Sequence, residues 1–278
     1  MTKEVRDYAI VLAIDDKERA RAVALASEVG PLVDAIKLGV PTLITNGVSI
    51  VRDLKSVYQG PLIADLKVAD IGFKASGAKE WSGTNRSIVE AAVSGGVDYV
   101  ICHTIVGTTS IQECVDTAHA MGGRVLTLPN MTQTSAGLFF DNALDEEGEA
   151  RLSKLGFSGV VTRVQKLRKK KLTEAGWRSR KVSVSDLILL LGEEVGVDGY
   201  VAPANKPEVM KDYRRITLRR IFATGVARQG GKLGDVYSIL GRNSAAIVGH
   251  EITASADPVV ACRRLIGERE TAMAGGKP

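Results

Sequence analysis

The sequence predicts a (β/α)8 barrel, and three observations lead to that fold class. Short runs rich in β-branched residues recur along the 278 residues, and eight of them read as strands. Each run is followed by a helix or by a segment with apolar residues at helical spacing. The first strand leads into AIDDKE rather than into the Gly-x-Gly-x-x-Gly of an open nucleotide-binding sheet. Eight strand-helix units in this length favour a closed parallel barrel.

The elements follow one another in a regular order. The strand candidates, in chain order, are YAIVLAID, VDAIKLG, PLIADLK, VDYVICH, RVLTLPN, VDGYVA, RIFATG and SAAIVG. The first helix is predicted within 16–30. A second is predicted over 41–60, opened by a proline and closed near a glycine. The remaining helices are predicted at about 84–94, at about 108–121, near Lys206, near Asp235, and from Asp257 onward.

Two segments interrupt this order, and both are interpreted as insertions on one barrel. The first, GFKASGAKEWSG at about 72–83, is a loop punctuated by glycine and serine. The second, at about 145–181, is long, charged and basic at its end. The prediction is therefore a single barrel domain over 1–270 with a basic insertion at about 145–181. Residues 271–278 are predicted to form a disordered tail.

Composition narrows the possible functions. The formal net charge is +5 and the isoelectric point about 9.1, which favours anionic partners. No apolar run is long enough to span a membrane, and the first residues lack the pattern of a signal peptide, so a cytoplasmic protein without membrane partners is expected. The three cysteines and three histidines show no metal-ligand spacing, so no metal site is predicted.

Charged residues stand at the ends of the first three strands. Asp15 ends the first, Lys37 lies at the end of the second, and Asp65 and Lys67 end the third, with Asp70 in the loop beyond. The carboxyl ends of barrel strands surround the active site, and residues two apart on a strand share a face. Such charges are costly to desolvate unless they pair. The network therefore either stabilises the barrel or performs chemistry, and the pattern alone leaves both open.

The stretch ADLKVADI resembles the Asp-x-Lys-x-x-Asp-Ile signature of the orotidine 5′-monophosphate decarboxylase family. Other stretches are similar to further parts of that family, notably VLAID, AIKLGVP, TNRSIVEAAVSGGVDYVICHTIVG, GYVAPANKPE, TGVARQGG and AAIVG. The resemblance covers most of the chain outside the two insertions, and is closest to the compact archaeal members. It implies a (β/α)8 barrel, a homodimer, and decarboxylation of orotidine 5′-monophosphate (OMP) to UMP without a cofactor.

The same resemblance implies catalytic roles. Lys67 would protonate C6 of the pyrimidine, where negative charge develops. Asp65 would lie against the departing carboxylate, and Lys37 would pair with Asp65. Asp70 and Ile71 would reach into the site of the neighbouring subunit, so that each site depends on the dimer.

Substrate-binding roles are implied in the same way. Asp15 would hold the ribose, with Thr84 assisting from the partner subunit. Thr132 stands where the family commonly has a serine that reads the pyrimidine edge. Gln229 would close over the phosphate, with the backbone of the Gly249 turn beneath it.

One position departs from the family pattern. His250 stands where the family usually has an arginine that grips the phosphate, and a neutral imidazole cannot replace a bidentate guanidinium. Arg228, beside Gln229, is the predicted substitute. If no cation fills that place, weaker binding or a different substrate is expected.

Two alternatives are kept. The first is a related 3-keto-L-gulonate 6-phosphate decarboxylase or hexulose-6-phosphate synthase; those enzymes bind magnesium and carry a glutamate where this chain has Lys37, which favours the orotidylate reading. The second is a non-catalytic barrel that binds nucleic acid through KLRKKKL in the basic insertion. One nearby aromatic, Trp177, does not make a base-stacking platform, so nucleic acid is not the expected partner.

Overall fold

The computed structural model describes residues 4–275, and its eight strands form a closed barrel of parallel neighbours from β1 round to β8, which returns to β1. The fold class and all eight strand predictions are confirmed. The strands are β1 Ala9–Ile14, β2 Ala35–Gly39, β3 Leu62–Val68, β4 Tyr99–Cys102, β5 Arg124–Thr127, β6 Gly199–Pro203, β7 Arg220–Thr224 and β8 Ser244–Val248.

Helices follow the strands around the outside of the barrel. They are α1 Arg19–Val29, α2 Val40–Asn46, α3 Ile50–Val57, α4 Thr84–Ser94, α5 Thr108–Ala120, α6 Gly137–Phe140, α7 Glu146–Lys154, α8 Ser158–Thr173, α9 Val184–Val195, α10 Pro207–Ile216, α11 Leu233–Leu240, α12 His250–Thr253 and α13 Pro258–Gly275. None of the helices within residues 4–275 is long and apolar enough to cross a membrane.

The strand period of two decides which side chains enter the barrel. Ala9, Val11 and Ala13 of β1 belong to the cluster that fills the barrel interior. The alternate residues of β1 pack in the larger core that includes helix residues such as Leu25. Because side chains alternate between the two faces of a strand, the next residue in the interior series is Asp15. The fold itself therefore directs strand-end charges into the mouth of the barrel.

The predicted single helix over 41–60 is wrong, because two helices occupy that range. α2 ends at Asn46, and α3 begins at Ile50. Gly47 between them has a φ of 65° and a ψ of 178°, a backbone conformation that is open mainly to glycine and that ends α2. The apolar spacing on the two sides of this glycine alone indicates one continuous helix, but the backbone conformation of Gly47 divides it in two.

The first predicted insertion is confirmed as a loop, since residues 72–83 contain neither helix nor strand. The second contains α7 and α8. α9, which follows it, was not predicted. A capping box starts α9: the Ser183 hydroxyl accepts from the backbone of Asp186, and the Asp186 carboxylate accepts from the backbone of Ser183.

The basic insertion packs against α9 through a small apolar cluster of its own. Val160 and Val164 of α8 contact the same cluster as Leu190 and Leu191 of α9. Beside this cluster, the ammonium of Lys171 is buried and lies 2.6 Å from a carboxylate oxygen of Asp186. The division into a single domain with an insertion stays a prediction.

Several positive charges of the insertion are neutralised within the chain. Four of its cations each pair with a carboxylate: Arg163 with Glu194, Arg168 with Glu149, Lys171 with Asp186, and Arg178 with Asp141. A cation held by a neighbouring carboxylate contributes less to an exposed basic surface. The lysine-rich string in the sequence therefore overstates the charge available to a polyanion.

The predicted disordered tail is corrected up to Gly275. Helix α13 runs from Pro258 to Gly275, because the helix is tied to the core near its end. Arg269 pairs with Asp34 at 3.2 Å, and Ala272 packs against the main core. The rest of the predicted tail lies outside the described residues.

Candidate active site

A cavity of about 280 Å³ opens at the carboxyl ends of the strands, where the sequence predicted the active site. Most of the predicted site residues line it. Those present are Asp15, Lys37, Asp65, Lys67, Thr132, Arg228, Gln229, Gly249 and His250.

Four alternating charges form a row along one wall of the cavity. The Lys67 ammonium donates to Oδ1 of Asp65 at 2.8 Å. The Lys37 ammonium donates to Oδ2 of the same carboxylate at 3.0 Å and lies 3.6 Å from Oδ1 of Asp15. Asp65 is therefore held by both lysines, one on each oxygen.

The two central groups of this row are buried, whereas Asp15 and Lys67 at its ends are partly exposed. Lys37 is 5 % exposed and Asp65 8 % exposed. Burial alone would raise the pKa of Asp65, but the ammonium groups of Lys37 and Lys67 and the hydrogen bonds that they donate hold this pKa below its usual range. The carboxylate is consequently ionised at neutral pH.

The backbone of β3 is distorted where Lys67 projects into the cavity. Lys67 has a φ of 48°, which is uncommon for a residue with a side chain. The pairing of β3 with β4 also shifts register between Ala64 and Val68. Bulges and left-handed residues occur often at functional sites, where they re-aim a side chain. From this distorted segment the Lys67 ammonium contacts Asp65, two residues earlier on the same strand.

Asp15 is placed by two neighbours that sequence reasoning missed. The buried Thr42 hydroxyl donates to the carbonyl oxygens of Ile14 and Asp16 at 3.1 and 2.7 Å, which fixes the backbone on both sides of Asp15. A Cβ on Gly39 would lie 1.6 Å from Oδ1 of Asp15. Only glycine at position 39 leaves the carboxylate where it lies.

His103, at the end of β4, is close to the charged row but adds no charge to it. Burial lowers the pKa of His103, and the Lys67 ammonium lowers this pKa further. The imidazole stacks on Phe140 with the ring centres 6.3 Å apart. It is therefore neutral at neutral pH.

The opposite wall of the cavity is built by loops that meet at one glycine. A Cβ on Gly225 would lie 2.6 Å from Oε1 of Gln229 and 3.0 Å from Cγ2 of Thr132. Gly225 has a φ of 83°, which favours glycine, and no side chain would fit at this position. The Thr132 loop and the Gln229 loop thus converge on the cavity from different strands.

Arg228 and His250 lie together at the edge of the cavity. Both also line a smaller adjoining cavity of about 210 Å³, which Asp15 shares. Ala227, just before Arg228, has a φ of 62°, and its N–H donates to the carbonyl of Gly231 at 2.8 Å. The tight turn directs Arg228 toward the position that the sequence assigned to it, beside His250.

The structure does not bring Asp70, Ile71 and Thr84 into the cavity of their own chain. Asp70 is held in place from behind: its N–H donates to the buried Asn85 at 3.0 Å, and its carbonyl accepts from the same amide at 2.8 Å. Ile71 is 71 % exposed. These residues face outward, which is compatible with the prediction that they act on a neighbouring subunit.

Sequence reasoning missed a second group of residues, which hold the loop around Thr132. Asn130 is 1 % exposed and accepts from the N–H of Met131 at 2.8 Å. Lys206 donates to the carbonyl of Met131 at 2.9 Å, and Asn205 donates to that of Thr132 at 3.1 Å. Asn130 lies three residues beyond β5, and Asn205 and Lys206 follow β6, so the only available signal was their place just after strands.

The two walls together define what the cavity can do chemically. Two ammonium groups surround one carboxylate, so the row can stabilise negative charge that develops on a bound molecule and can donate a proton to it. Arg228 adds a third cation at the rim. This arrangement suits an anionic substrate that gains negative charge at a carbon or oxygen atom near Lys67.

Proteins of known family resemble this chain over nearly its whole length. The family model described as "Orotidine 5'-phosphate decarboxylase / HUMPS family" matches residues 8–265. A protein of Methanosarcina mazei named orotidine 5′-phosphate decarboxylase is 29% identical over 97% of this chain and 99% of its own. A protein of the same name from Methanococcoides burtonii is 30% identical over 93% and 96%, respectively.

A solved structure has the same architecture. The orotidine 5′-monophosphate decarboxylase of Methanocaldococcus jannaschii, in complex with the inhibitor BMP, superposes with a TM-score of 0.71. It is 25% identical and covers 95% of this chain and 98% of its own. The similarity therefore extends over nearly the whole chain in both sequence and fold.

Proposed function

The chain belongs to the orotidine 5′-phosphate decarboxylase / HUMPS family, and we propose that it decarboxylates OMP to UMP. The observation that carries the proposal is the row Lys67–Asp65–Lys37, with contacts of 2.8 and 3.0 Å inside the cavity. Within that family, the decarboxylase is the activity that needs a lysine, rather than a metal ligand, at the position of Lys37. Its place in metabolism is the synthesis of UMP.

In the proposed reaction the bond between C6 and the carboxylate of OMP breaks. Its electron pair stays on C6, and CO2 leaves. Lys67 then donates a proton from Nζ to C6, which forms the C–H bond of UMP, and the resulting amine regains its proton from solvent. Because the ammonium lies beside the carbon before the bond breaks, it stabilises the developing carbanion.

Asp65 contributes by its charge. Its carboxylate lies against the substrate carboxylate, so that like charges disfavour the bound ground state and are relieved when CO2 departs. Lys37 keeps Asp65 ionised and in place from the other side. Unit charges about 4 Å apart interact by roughly 4 kcal/mol at an effective dielectric constant of 20, which is enough to matter for a barrier.

The remaining cavity residues bind the substrate. Asp15 binds the ribose hydroxyls, and Thr132 binds the edge of the pyrimidine. Gln229 and the backbone at Gly249 bind the phosphate, and Arg228 supplies the guanidinium that the family usually has at the position of His250. The position of Arg228 beside His250 at the rim supports this last assignment.

We expect the active form to be a homodimer in the cytoplasm, without a cofactor or a protein-held metal. In the dimer, Asp70, Ile71 and Thr84 complete the site of the neighbouring subunit. The exposure of Ile71 and the clamped backbone of Asp70 support this assembly. The oligomeric state can be measured by light scattering at several concentrations.

The test is a spectrophotometric assay for the loss of OMP with EDTA present. We expect turnover that is unchanged by EDTA, with UMP as the product. In parallel, 3-keto-L-gulonate 6-phosphate with magnesium tests the related activity. No turnover of OMP by folded protein, or turnover of the sugar phosphate alone, would contradict the proposal.

A further inference from the structure

The pocket wall that carries Thr132 is a loop without secondary structure, held by side chains from elsewhere in the chain. Lys206 donates to the carbonyl oxygens of Met131 and Gln133 at 2.9 and 3.2 Å. It also donates to Oδ1 of Asn130 at 3.3 Å. A loop can be held no more precisely than the groups that bind its backbone are held. The position of Thr132 therefore depends on this small network.

The network continues into the basic insertion. Oδ1 of Asp141 accepts from the side-chain amide of Asn130 at 3.4 Å. The same oxygen lies 2.9 Å from Nη1 of Arg178, which belongs to the inserted segment. A chain of contacts thus runs from Arg178 through Asp141 and Asn130 to the wall of the cavity.

Arg178 also contacts the helix that follows Lys206. Its backbone N–H donates to Oδ1 of Asp212 on α10 at 3.4 Å, and its Nε lies 3.8 Å from Oδ2 of the same carboxylate. Asp212 is 3 % exposed. Arg178 therefore connects two places that flank the Thr132 loop. One is Asp141, which follows the loop in the chain, and the other is α10, which begins directly after Lys206.

Charge explains why an arginine is useful at this point. Burial lowers the pKa of Lys206, whereas the nearby Asp141 raises it and Arg178 lowers it. Within residues 4–275, Arg178 forms the ion pair with Asp141, and Lys206 is a second cation that this carboxylate acts on electrostatically. Without Arg178, Lys206 would be drawn from the backbone carbonyls toward Asp141.

We propose that Arg178 is a positioning residue for substrate binding, which neutralises Asp141 so that Lys206 and Asn130 hold the Thr132 wall of the cavity. This inference rests on the proposed function. It gives the insertion a role in the site without contact with the substrate. The charged row on the opposite wall is untouched by this network, so the effect falls on binding rather than on the chemical step.

The first test compares Arg178→Gln with the wild type in the OMP assay. We expect KM to rise about tenfold with kcat within about twofold, the scale of losing one hydrogen bond to a charged group. Arg178→Lys keeps the charge and restores part of the affinity. Arg163→Gln is the matched control, because Arg163 ties the same insertion to Glu194 of α9 at 3.1 Å and touches no residue of the cavity. Its KM stays at the wild-type value.

Two further variants keep the inference testable if Arg178→Gln does not fold. Lys206→Met removes the donor that holds the carbonyl oxygens of Met131 and Gln133, so it should raise KM on the same scale. Asp141→Asn retains an acceptor for Asn130 and removes the charge that Arg178 neutralises, so it should leave KM within about twofold of the wild type and should reverse most of the rise when it is combined with Arg178→Gln. A KM within twofold of the wild type in folded Arg178→Gln or Lys206→Met, or a double variant that binds as weakly as Arg178→Gln alone, overturns the inference.

The same assay separates the two claims. Turnover by the wild type and by Arg163→Gln supports the proposed function, whatever Arg178 does. A drop in melting temperature of Arg178→Gln with unchanged KM identifies a purely structural role and overturns the inference alone. A wild type without turnover overturns the proposed function, and the inference that rests on it.

Discussion

The two walls of the cavity are built differently. The strand wall, defined as Asp15, Lys37, Asp65 and Lys67, comes from the ends of β1 to β3. Its central pair is nearly inaccessible, with Lys37 5 % and Asp65 8 % exposed. The loop wall is defined as Thr132, Arg228, Gln229 and His250. The first three lie on segments between elements, His250 begins the short helix α12, and three of the four residues are exposed.

The difference indicates a division of labour. The backbones that carry these charges are held by strand pairing, and the two central side chains are buried, so the strand wall suits a reaction that depends on fixed electrostatics. Loops tolerate replacement and adjust to a ligand, so the loop wall suits binding. The replacement of the family's usual arginine by His250 occurs in the loop wall, where this division leads one to expect that substitutions are tolerated.

The largest expected effect is that of Lys67→Ala. It removes both the proton donor and one of two cations on Asp65, so kcat should fall by at least about 10⁴-fold. Circular dichroism should show a folded protein. Lys74→Ala, in the exposed loop that follows, should retain wild-type turnover. Activity of Lys67→Ala within about a hundredfold of the wild type would break the assignment of chemistry to the strand wall.

Gly39→Ala tests the strand wall without changing any of its charges. The backbone φ of −77° permits alanine, but the new Cβ would occupy the place of the Asp15 carboxylate. A displacement of about 1 Å can cost about 10²-fold in rate, and we expect kcat/KM to fall on that scale. Gly267→Ala in α13, where a Cβ meets nothing within 4 Å, is the control. Equal activity of both variants would show that the position of Asp15 is unimportant.

Arg228→Ala tests the loop wall. Loss of a charged hydrogen-bond donor to phosphate should raise the KM for OMP about tenfold and leave kcat within about threefold. Steady-state kinetics at several ionic strengths measure this, and the wild-type KM should respond more strongly to salt than that of the variant. An unchanged KM would move the phosphate contact to another residue, and a loss confined to kcat would contradict the division between the walls.

Acid should affect the strand wall in a defined window. The pKa of Asp65 is lowered in the folded state, so its ion pairs stabilise the fold above the unfolded carboxyl pKa of about 3.9. That stability is lost as the pH falls through the lower, folded value. The difference in free energy of unfolding between the wild type and Asp65→Asn should therefore be constant from about pH 7 to 5 and shrink below about pH 4. Urea titrations across that range measure it; a difference that shrinks already near neutral pH would contradict the pairing.

The sequence predicted the strand wall well, for a physical reason. A charge that ends an apolar strand is a local pattern, and the period of two already indicates which face it occupies. The loop wall was predicted only through the resemblance of TGVARQGG and its neighbours to a known family. Asp70, Ile71 and Thr84 stay predictions that concern a neighbouring subunit.

What could not be predicted depends on contacts between distant residues. Lys206 holds the carbonyl of Met131 across 75 residues, and no local pattern announces such a partner. The role of Gly39 depends on a side chain from the adjacent strand. The break at Gly47 and the missed helix α9 are different, since a glycine and a Ser183–Asp186 capping box were both visible. There, a continuous apolar pattern and a long charged insertion obscured the local signals.

The most direct test of the division between the walls is calorimetric binding of UMP to Lys67→Ala and Arg228→Ala, beside the wild type. An interaction that acts only as the C6 charge develops should leave binding of the product nearly unchanged. We therefore expect Lys67→Ala, which cannot turn over OMP, to bind UMP with a Kd within about threefold of the wild type. Arg228→Ala should bind about tenfold more weakly. Loss of UMP binding in Lys67→Ala with normal binding in Arg228→Ala would contradict the account.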